Sequence, residues 1–422
     1  MLSAGRLLTW KPTKLIAALP TIVSGSGPWL ISECGKRYFD MTSQAVCSNL
    51  GHTVPQRTID RLSRQAQTVP FVYGGLAQNS TITELVEKMD QITPAHMSGY
   101  LFPSSGSEAN EAAIRMARLY TGKQTILSFG KSYHGGTGVP LYVGADGRRD
   151  FVKGDPTPST RLDQSTMTLS QICDHIHQHG DDIAALITEP VIGSGGVVKH
   201  DDTFMRDILA VCKEKQVLVI ADEVMSGFGR TGKMWGHELY NGTTELGEFY
   251  KPDLMTFAKG FTGAAIPMSG VACSTTLHSH FQTNSIGYGS TYQAHPMAAV
   301  MAIETIDRMR EENVLENVMD NEQLIRGHML ELATTPLFHD TFRLHGSFGC
   351  MDMRMTDDGA MNEGIINCFA ERLRAHGIIH MFRPPLFHIA PPLNCTPAEI
   401  HQMFDLIRLA VDDTIARYGG GW

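Results

Sequence analysis

Two short apolar runs, each ending in a charged side chain, constrain this chain most. The segment 217–263 reads VLVIADEVMSGFGRTGKMWGHELYNGTTELGEFYKPDLMTFAKGFTG. VLVI is uninterrupted and rich in β-branched residues, the pattern of a strand buried on both faces of a parallel sheet. It stops at Asp222 and Glu223. The second run, LMTF, leads through Ala258 to Lys259 and Gly260. Ligands of open α/β sheets sit at the carboxyl ends of strands. A carboxylate and a lysine placed there are costly unless they are paired or used.

Two chemistries could use them. In one, a lysine forms a Schiff base with pyridoxal phosphate (PLP) and an acid keeps the pyridine nitrogen protonated. The other is phosphate binding by a P-loop. Residues 227–233, GFGRTGK, fit seven positions of GxxxxGK[ST]. The eighth is Met234, which has no hydroxyl for a magnesium ion. A structural ion pair between Asp222 and Lys259 is the plain alternative.

The 422 residues suffice for two or three domains. A charged fraction of 19% beside 42% hydrophobic residues carries no disorder signature. The net charge of −9 gives no reason to expect nucleic acid or an anionic membrane. No apolar run nears the roughly 18 residues of a membrane span. The eight cysteines are scattered without a CxxC, as free thiols of a reducing compartment would be. No histidine spacing suits a metal; His175, His177 and His179 read as a solvated helix end. The start is basic and free of acids before Glu33, like a mitochondrial transit peptide. It is short and holds Trp10 and Pro12, so a cytoplasmic location is expected, with the mitochondrial matrix as the alternative.

Residues 21–42 read as two strands around a glycine turn at Glu33–Lys36. Helical patterns follow at about 54–66 and 82–90, the second with Thr81 or Thr83 as candidate cap. In 99–122, GYLFPSSGSEANEAAIRMARLYTG, a short strand enters Ser105, Gly106 and Ser107 as a helix begins. Small residues at such a junction expose backbone N–H groups to an anion, although a good N-cap alone would also explain them. Tyr133 and His134, in SYHGGTG, follow a strand and suit a flat ligand; a turn with a partly buried tyrosine is the bland alternative. Residues 144–168 read as a surface loop. The strand IAALITEPV carries Glu189 near its end. Strand–helix–strand alternation argues for a parallel sheet. From about 305 the pattern becomes α+β, ending in a helix capped by Thr396 with Glu399 at the capping-box position.

In this order, SSGSEANEAA, YHGGTG, EPV, IADEVMSGFGRTGKM, TFAKG, GSTYQAHP and RPPLFHIAPPL resemble the class III (ω-) aminotransferases, which are fold-type I PLP enzymes. The resemblance spans nearly the whole chain. It implies an α/β fold: a large domain with a mainly parallel sheet flanked by helices, and a smaller α+β domain built from both ends of the chain. The implied division is 1–50 (part of the small domain), 51–304 (PLP-binding) and 305–422 (small domain). It makes Lys259 the Schiff-base lysine and Asp222 the partner of the pyridine nitrogen. Val224 and Tyr133 would pack on the two ring faces. Ser105, Gly106 and Ser107 would hold the phosphate, with His134 nearby and Glu189 near the cofactor hydroxyl. Thr291 resembles a threonine that reaches the phosphate of a neighbouring subunit, implying a homodimer with shared sites, or a tetramer. Arg383 resembles an arginine that clamps a substrate carboxylate. Substrate recognition draws on both chain ends, which adds Trp10 as a candidate.

Two departures stand out. Met225 occupies a position where glutamine is common, and residues 241–249 read as a polar insertion. The wording around 43–44, 221–233 and 256–267 looks most like members that pass an amino group from ω-amino acids or amines to pyruvate. An aminomutase or decarboxylating member of the same fold is the alternative, and a nucleotide-binding protein using GFGRTGK is the reading from another class.

Overall fold

The computed structural model describes residues 19–152, 157–241, 248–355 and 362–418, with positions 8, 12 and 16 before them. Trp10 therefore lies outside the described residues, as do 242–247 of the insertion. β1 (Ile22–Ser26), β2 (Trp29–Ser32) and β3 (Arg37–Asp40) form an antiparallel meander. The sequence suggests two strands here. The third exists because Gly27, at φ +52°, makes a second tight turn with Pro28.

The main sheet contains β4 (Met97–Leu101), β5 (Thr125–Phe129), β6 (Ser159–Leu162), β7 (Ile183–Thr188), β8 (Leu218–Asp222), β9 (Leu254–Phe257) and β10 (Gly270–Ser274). Their order is β4-β10-β9-β8-β7-β5-β6. β10 alone is reversed, pairing antiparallel with β4 and β9. The four other pairings are parallel. β6 corrects the loop expected over 144–168. Four residues, STRL, are too few to carry a periodic signal, yet they pair with β5 and extend the sheet.

Helix Gly106–Thr121 lies on this sheet. Ser105 caps it through its hydroxyl, which accepts from Glu108 N–H at 3.3 Å, and Gly122 ends it in the left-handed region at φ +71°. Its buried face is Ala109, Ala112, Ala113 and Ala117, side chains small enough to let the helix approach the strands. Helix Ser80–Asp90 is capped by Asn79, which accepts from Thr81 N–H at 2.9 Å, rather than by Thr81 or Thr83.

β11 (Phe338–His345), β12 (Phe348–Met353) and β14 (Leu386–Ile389) form an antiparallel sheet. Between them in sequence, β13 (Ile378–Ile379) pairs in parallel with β3, so the two chain ends share one sheet. Phe39 and Met41 accordingly enter the core of Phe338, Phe369, Phe387 and Phe404. Helix Pro397–Tyr418 starts with the expected capping box: Thr396 N–H donates to Glu399 at 2.8 Å and Glu399 N–H to Thr396 Oγ1 at 3.3 Å. Helix Pro296–Glu311 runs across position 304 and packs on helices Gln56–Thr68 and Ser80–Asp90. The described helices include none long and apolar enough to cross a membrane.

Candidate active site

Three neighbouring parallel strands end at one edge of the sheet, and each delivers one ionisable side chain. Glu189 follows β7, Asp222 closes β8 and Lys259 follows β9. At the same edge β4 leads to Ser105–Ser107, and β5 leads to Tyr133 and His134. These segments enclose a cavity of about 150 Å³ lined by Gly106, Tyr133, Asp222, Val224 and Lys259 among others. A second cavity of about 220 Å³ adjoins it, and Lys259, Gly106 and Ser105 line both.

Asp222 is buried and fully engaged on one oxygen. Oδ2 accepts from Asn110 Nδ2 and His134 Nδ1, both at 2.8 Å, while Oδ1 accepts from Val224 N–H at 3.0 Å. A carboxylate has about four acceptor positions, so one remains on Oδ1 for a ligand. Because Asp222 accepts, His134 must carry its proton on Nδ1. Asn110 is fixed in turn by donating to His134 O at 2.6 Å and accepting from Thr256 Oγ1 at 2.6 Å.

Lys259 is not the ion-pair partner of Asp222. Among the described residues its amine has no hydrogen bond or salt bridge, and burial pushes its pKa below the usual lysine value. Its φ of +50° lies in the left-handed region, a strain common where a side chain is aimed for use. Glu189 accepts from Tyr133 N–H at 2.8 Å and Gly193 N–H at 2.9 Å. Burial, and then the Asp222 charge, push its carboxyl up to about 7.

Glu223, the next residue, faces elsewhere. It accepts from Ser226 Oγ, Gly236 N–H, His237 N–H and His237 Nδ1, and so ties down the turn after β8. The helix N-terminus beside the cavity is open at Gly106. A Cβ there would lie 3.1 Å from Val224 Cγ1, closing the space between the two segments. Ser107 Oγ accepts from Gly136 N–H at 3.0 Å and keeps its own proton for a ligand. Flat walls, an anion-accepting helix end and an amine in one cavity can bind a planar phosphate ester and attack its carbonyl.

The structure brings together Ser105, Gly106, Ser107, Tyr133, His134, Glu189, Asp222, Val224 and Lys259. It also places Met225 on the cavity wall. Thr291 is exposed and lies outside the cavity of its own chain. Arg383 is half-buried, 3.9 Å from Asp146. The sequence reading missed Asn110, whose signal was a polar residue interrupting the alanine face of a helix. Asp146 and Arg148 gave no signal in a stretch read as loop.

The P-loop alternative fails on geometry. Arg230, within GFGRTGK, is fully buried and donates to Ser347 O at 3.3 Å, Pro391 O at 2.6 Å, Ser43 Oγ at 3.1 Å and Asn49 Oδ1 at 2.9 Å. The glycines serve a turn that bolts the two chain ends to the sheet. Lys233 is exposed, and the residues after it form a short 3-10 turn at Gly236–Tyr240 rather than a helix.

Comparison with known proteins agrees with this geometry. The model of the family "Aminotransferase class-III" matches residues 16–411. The chain is 28% identical to gamma aminobutyrate transaminase 1 of Solanum lycopersicum, over 94% of this chain and 82% of that one. It is 28% identical to a putrescine–pyruvate aminotransferase of Pseudomonas aeruginosa, over 94% and 91%. An (S)-enantioselective omega-transaminase from Thermomicrobium roseum superposes with a TM-score of 0.89 at 26% identity, over 97% and 96% of the two chains. The omega-transaminase of Pseudomonas jessenii in complex with PMP superposes with a TM-score of 0.88 at 25% identity, over 99% and 98%. The chain belongs to the class III aminotransferases, PLP-dependent enzymes of fold type I, and is a transaminase.

Proposed function

We propose that this transaminase binds PLP and passes an amino group from an ω-amino acid or amine to a 2-oxo acid such as pyruvate, in a ping-pong cycle. The observation that carries the reading is the convergence of Lys259, Asp222 and Glu189 from three adjacent strand ends on a cavity floored by a helix N-terminus. The activities named for the tomato and Pseudomonas aeruginosa relatives support the choice of donor class.

The residues present fit the cofactor. Ser105, Gly106 and Ser107 would hold its phosphate, Tyr133 and Val224 its ring faces, and Glu189 its hydroxyl edge, with His134 supporting Asp222. Bound PLP supplies an electron-accepting ring next to the donor's amine-bearing carbon. Asp222 Oδ1, which accepts only from Val224 N–H, would have an acceptor position left to keep a proton on the pyridine nitrogen. Its lowered pKa leaves more of the Lys259 amine unprotonated, and Nζ would then take the proton from the donor carbon. Arg383 orients substrates that carry a carboxylate. Trp10 remains a candidate for substrate contact.

The same reading makes the protein a homodimer, or a tetramer, with Thr291 serving the neighbouring site; its exposure in the single chain supports this. The division into 1–50, 51–304 and 305–422 and a cytoplasmic location complete the proposal. The eight free thiols fit a reducing compartment.

The test follows the visible spectrum of the PLP-loaded protein. An amine alone bleaches the yellow band, and an oxo acid then restores it. Repeated turnover of the first substrate without an oxo acid, beyond one product per site, would point instead to an aminomutase or a decarboxylase.

A further inference from the structure

Asp146 lies beside the cavity wall formed by Tyr133 and faces two guanidinium groups. Arg148 grips it with a fork, Nε to Oδ1 at 2.7 Å and Nη2 to Oδ2 at 3.0 Å, and the Arg148 N–H adds a third contact at 3.0 Å. The Arg148 guanidinium also lies over the Tyr133 ring, 4.4 Å from its centroid. Ala145 N–H donates to Ser132 O at 2.8 Å, so the loop is fastened to the segment that carries Tyr133. From the small domain, Arg383 Nη1 comes within 3.9 Å of Asp146 Oδ2.

The two arginines are held differently. Arg148 makes a planar, hydrogen-bonded pair, which is specific and strong. Arg383 lies beyond hydrogen-bond distance, attracted by charge alone. A substrate carboxylate could offer Arg383 the hydrogen bonds that Asp146 does not. Arg383 is also close enough to disfavour protonation of Lys259, so its charge is felt at the reacting amine.

We propose that Asp146, braced by Arg148 against the Tyr133 ring, is the resident counter-anion of Arg383 and sets how strongly the cavity favours carboxylate-bearing substrates. The proposal rests on the reading of Arg383 as the carboxylate clamp. A carboxylate arriving at Arg383 competes with Asp146. An amine without a carboxylate leaves the Arg383–Asp146 contact in place, and no cation is left unpaired beside an apolar group. One pocket thereby accepts both kinds of partner. Asp146 and Arg148 are positioning residues, acting through Arg383 and Tyr133.

The experiment compares holoenzymes: wild type, Asp146→Asn, Arg148→Ala and Arg148→Lys. It reads KM for pyruvate, KM for n-butylamine, and the Kd of butanoate, an unreactive carboxylate, by calorimetry. Asp146→Asn should tighten pyruvate and butanoate by about two- to five-fold, the scale of a partly exposed ion pair. It should leave KM for n-butylamine within about twofold. Arg148→Ala frees Asp146 for Arg383 and should weaken both carboxylates by a similar factor; Arg148→Lys should recover part of the loss. General damage would worsen every substrate in every variant.

Carboxylate binding that is unchanged or weaker in Asp146→Asn, at an unchanged thermal midpoint, overturns the proposal. If that variant does not fold, unchanged butanoate binding in Arg148→Ala overturns it. A wild type that transfers no amino group to pyruvate overturns the function reading instead, while the butanoate arm still tests Asp146.

Discussion

Asn110 and Asp222 meet at 2.8 Å although 112 positions separate them, and their hydrogen bond fixes which face of the carboxylate remains open to the cavity. The contact requires helix Gly106–Thr121 to lie against β8, which its alanine face permits. Asn110 and His134 together occupy Oδ2, so Asp222 can act only through Oδ1.

Asp222→Asn should therefore cost far more than a charge. An amide presents its NH₂ group to donors or to the ring nitrogen, whichever way it turns. A loss of about 10²–10³-fold in kcat/KM is expected, the scale of a preorganised electrostatic contact. Asn110→Ala should lose about tenfold, because Asp222 keeps its charge but not its orientation. Single-turnover kinetics of the amine half-reaction measures both, with circular dichroism as the folding control.

Lys259→Ala should abolish the yellow band that survives dialysis and slow amino transfer by at least about 10²–10⁴-fold, the range of a positioned proton-transfer group. Added primary amines should restore some transfer, since the cavity wall would be open where Lys259 stood. A dialysis-resistant band in the variant would overturn the assignment.

Glu189 gives a signed pH dependence. Burial and the Asp222 charge raise its folded pKa from 4.5 to about 7. A carboxyl raised on folding contributes stability that is fully present below its unfolded pKa and lost as pH rises through the folded value. The thermal midpoint of the cofactor-free protein should thus fall between about pH 4.5 and 7. Glu189→Gln should flatten that slope, at the cost of one acceptor for Tyr133 or Gly193 N–H. Calorimetry across this range measures both.

Arg230 and Lys233 should behave in opposite ways. Burial pushes the Arg230 guanidinium down only to about 10, so it is charged at neutral pH. Arg230→Leu strands four neutral acceptors in the interior and should cost on the order of 3–5 kcal/mol, since each buried acceptor left without a donor costs about 1–3 kcal/mol. Lys233→Ala changes an exposed side chain and should leave stability within about 0.5 kcal/mol and transamination within about twofold. Denaturant melts and a transaminase assay distinguish them.

Most of the site was legible along the chain because strand ends are local events. An apolar run, its length and the charged residue that stops it are all encoded within about ten residues. Hence Glu189, Asp222 and Lys259 could be named before any contact was known, and so could the helix start at Ser105–Ser107. β6 and the Gly27 turn were not legible, since four-residue strands carry too little periodicity. Local patterning alone did not distinguish Asp222 from Glu223; the resemblance to the class III aminotransferases did. Strand alternation places them on opposite sides, but only packing decides which side holds the cavity. Arg230 is the clearest case. Its local motif resembles a phosphate loop, and its partners, at positions 43, 49, 347 and 391, are supplied by both ends of the chain. Local spacing determined which residues reach the sheet edge. Tertiary structure decided what they touch, because a hydrogen bond in a dry interior depends on partners that the fold gathers from distant positions.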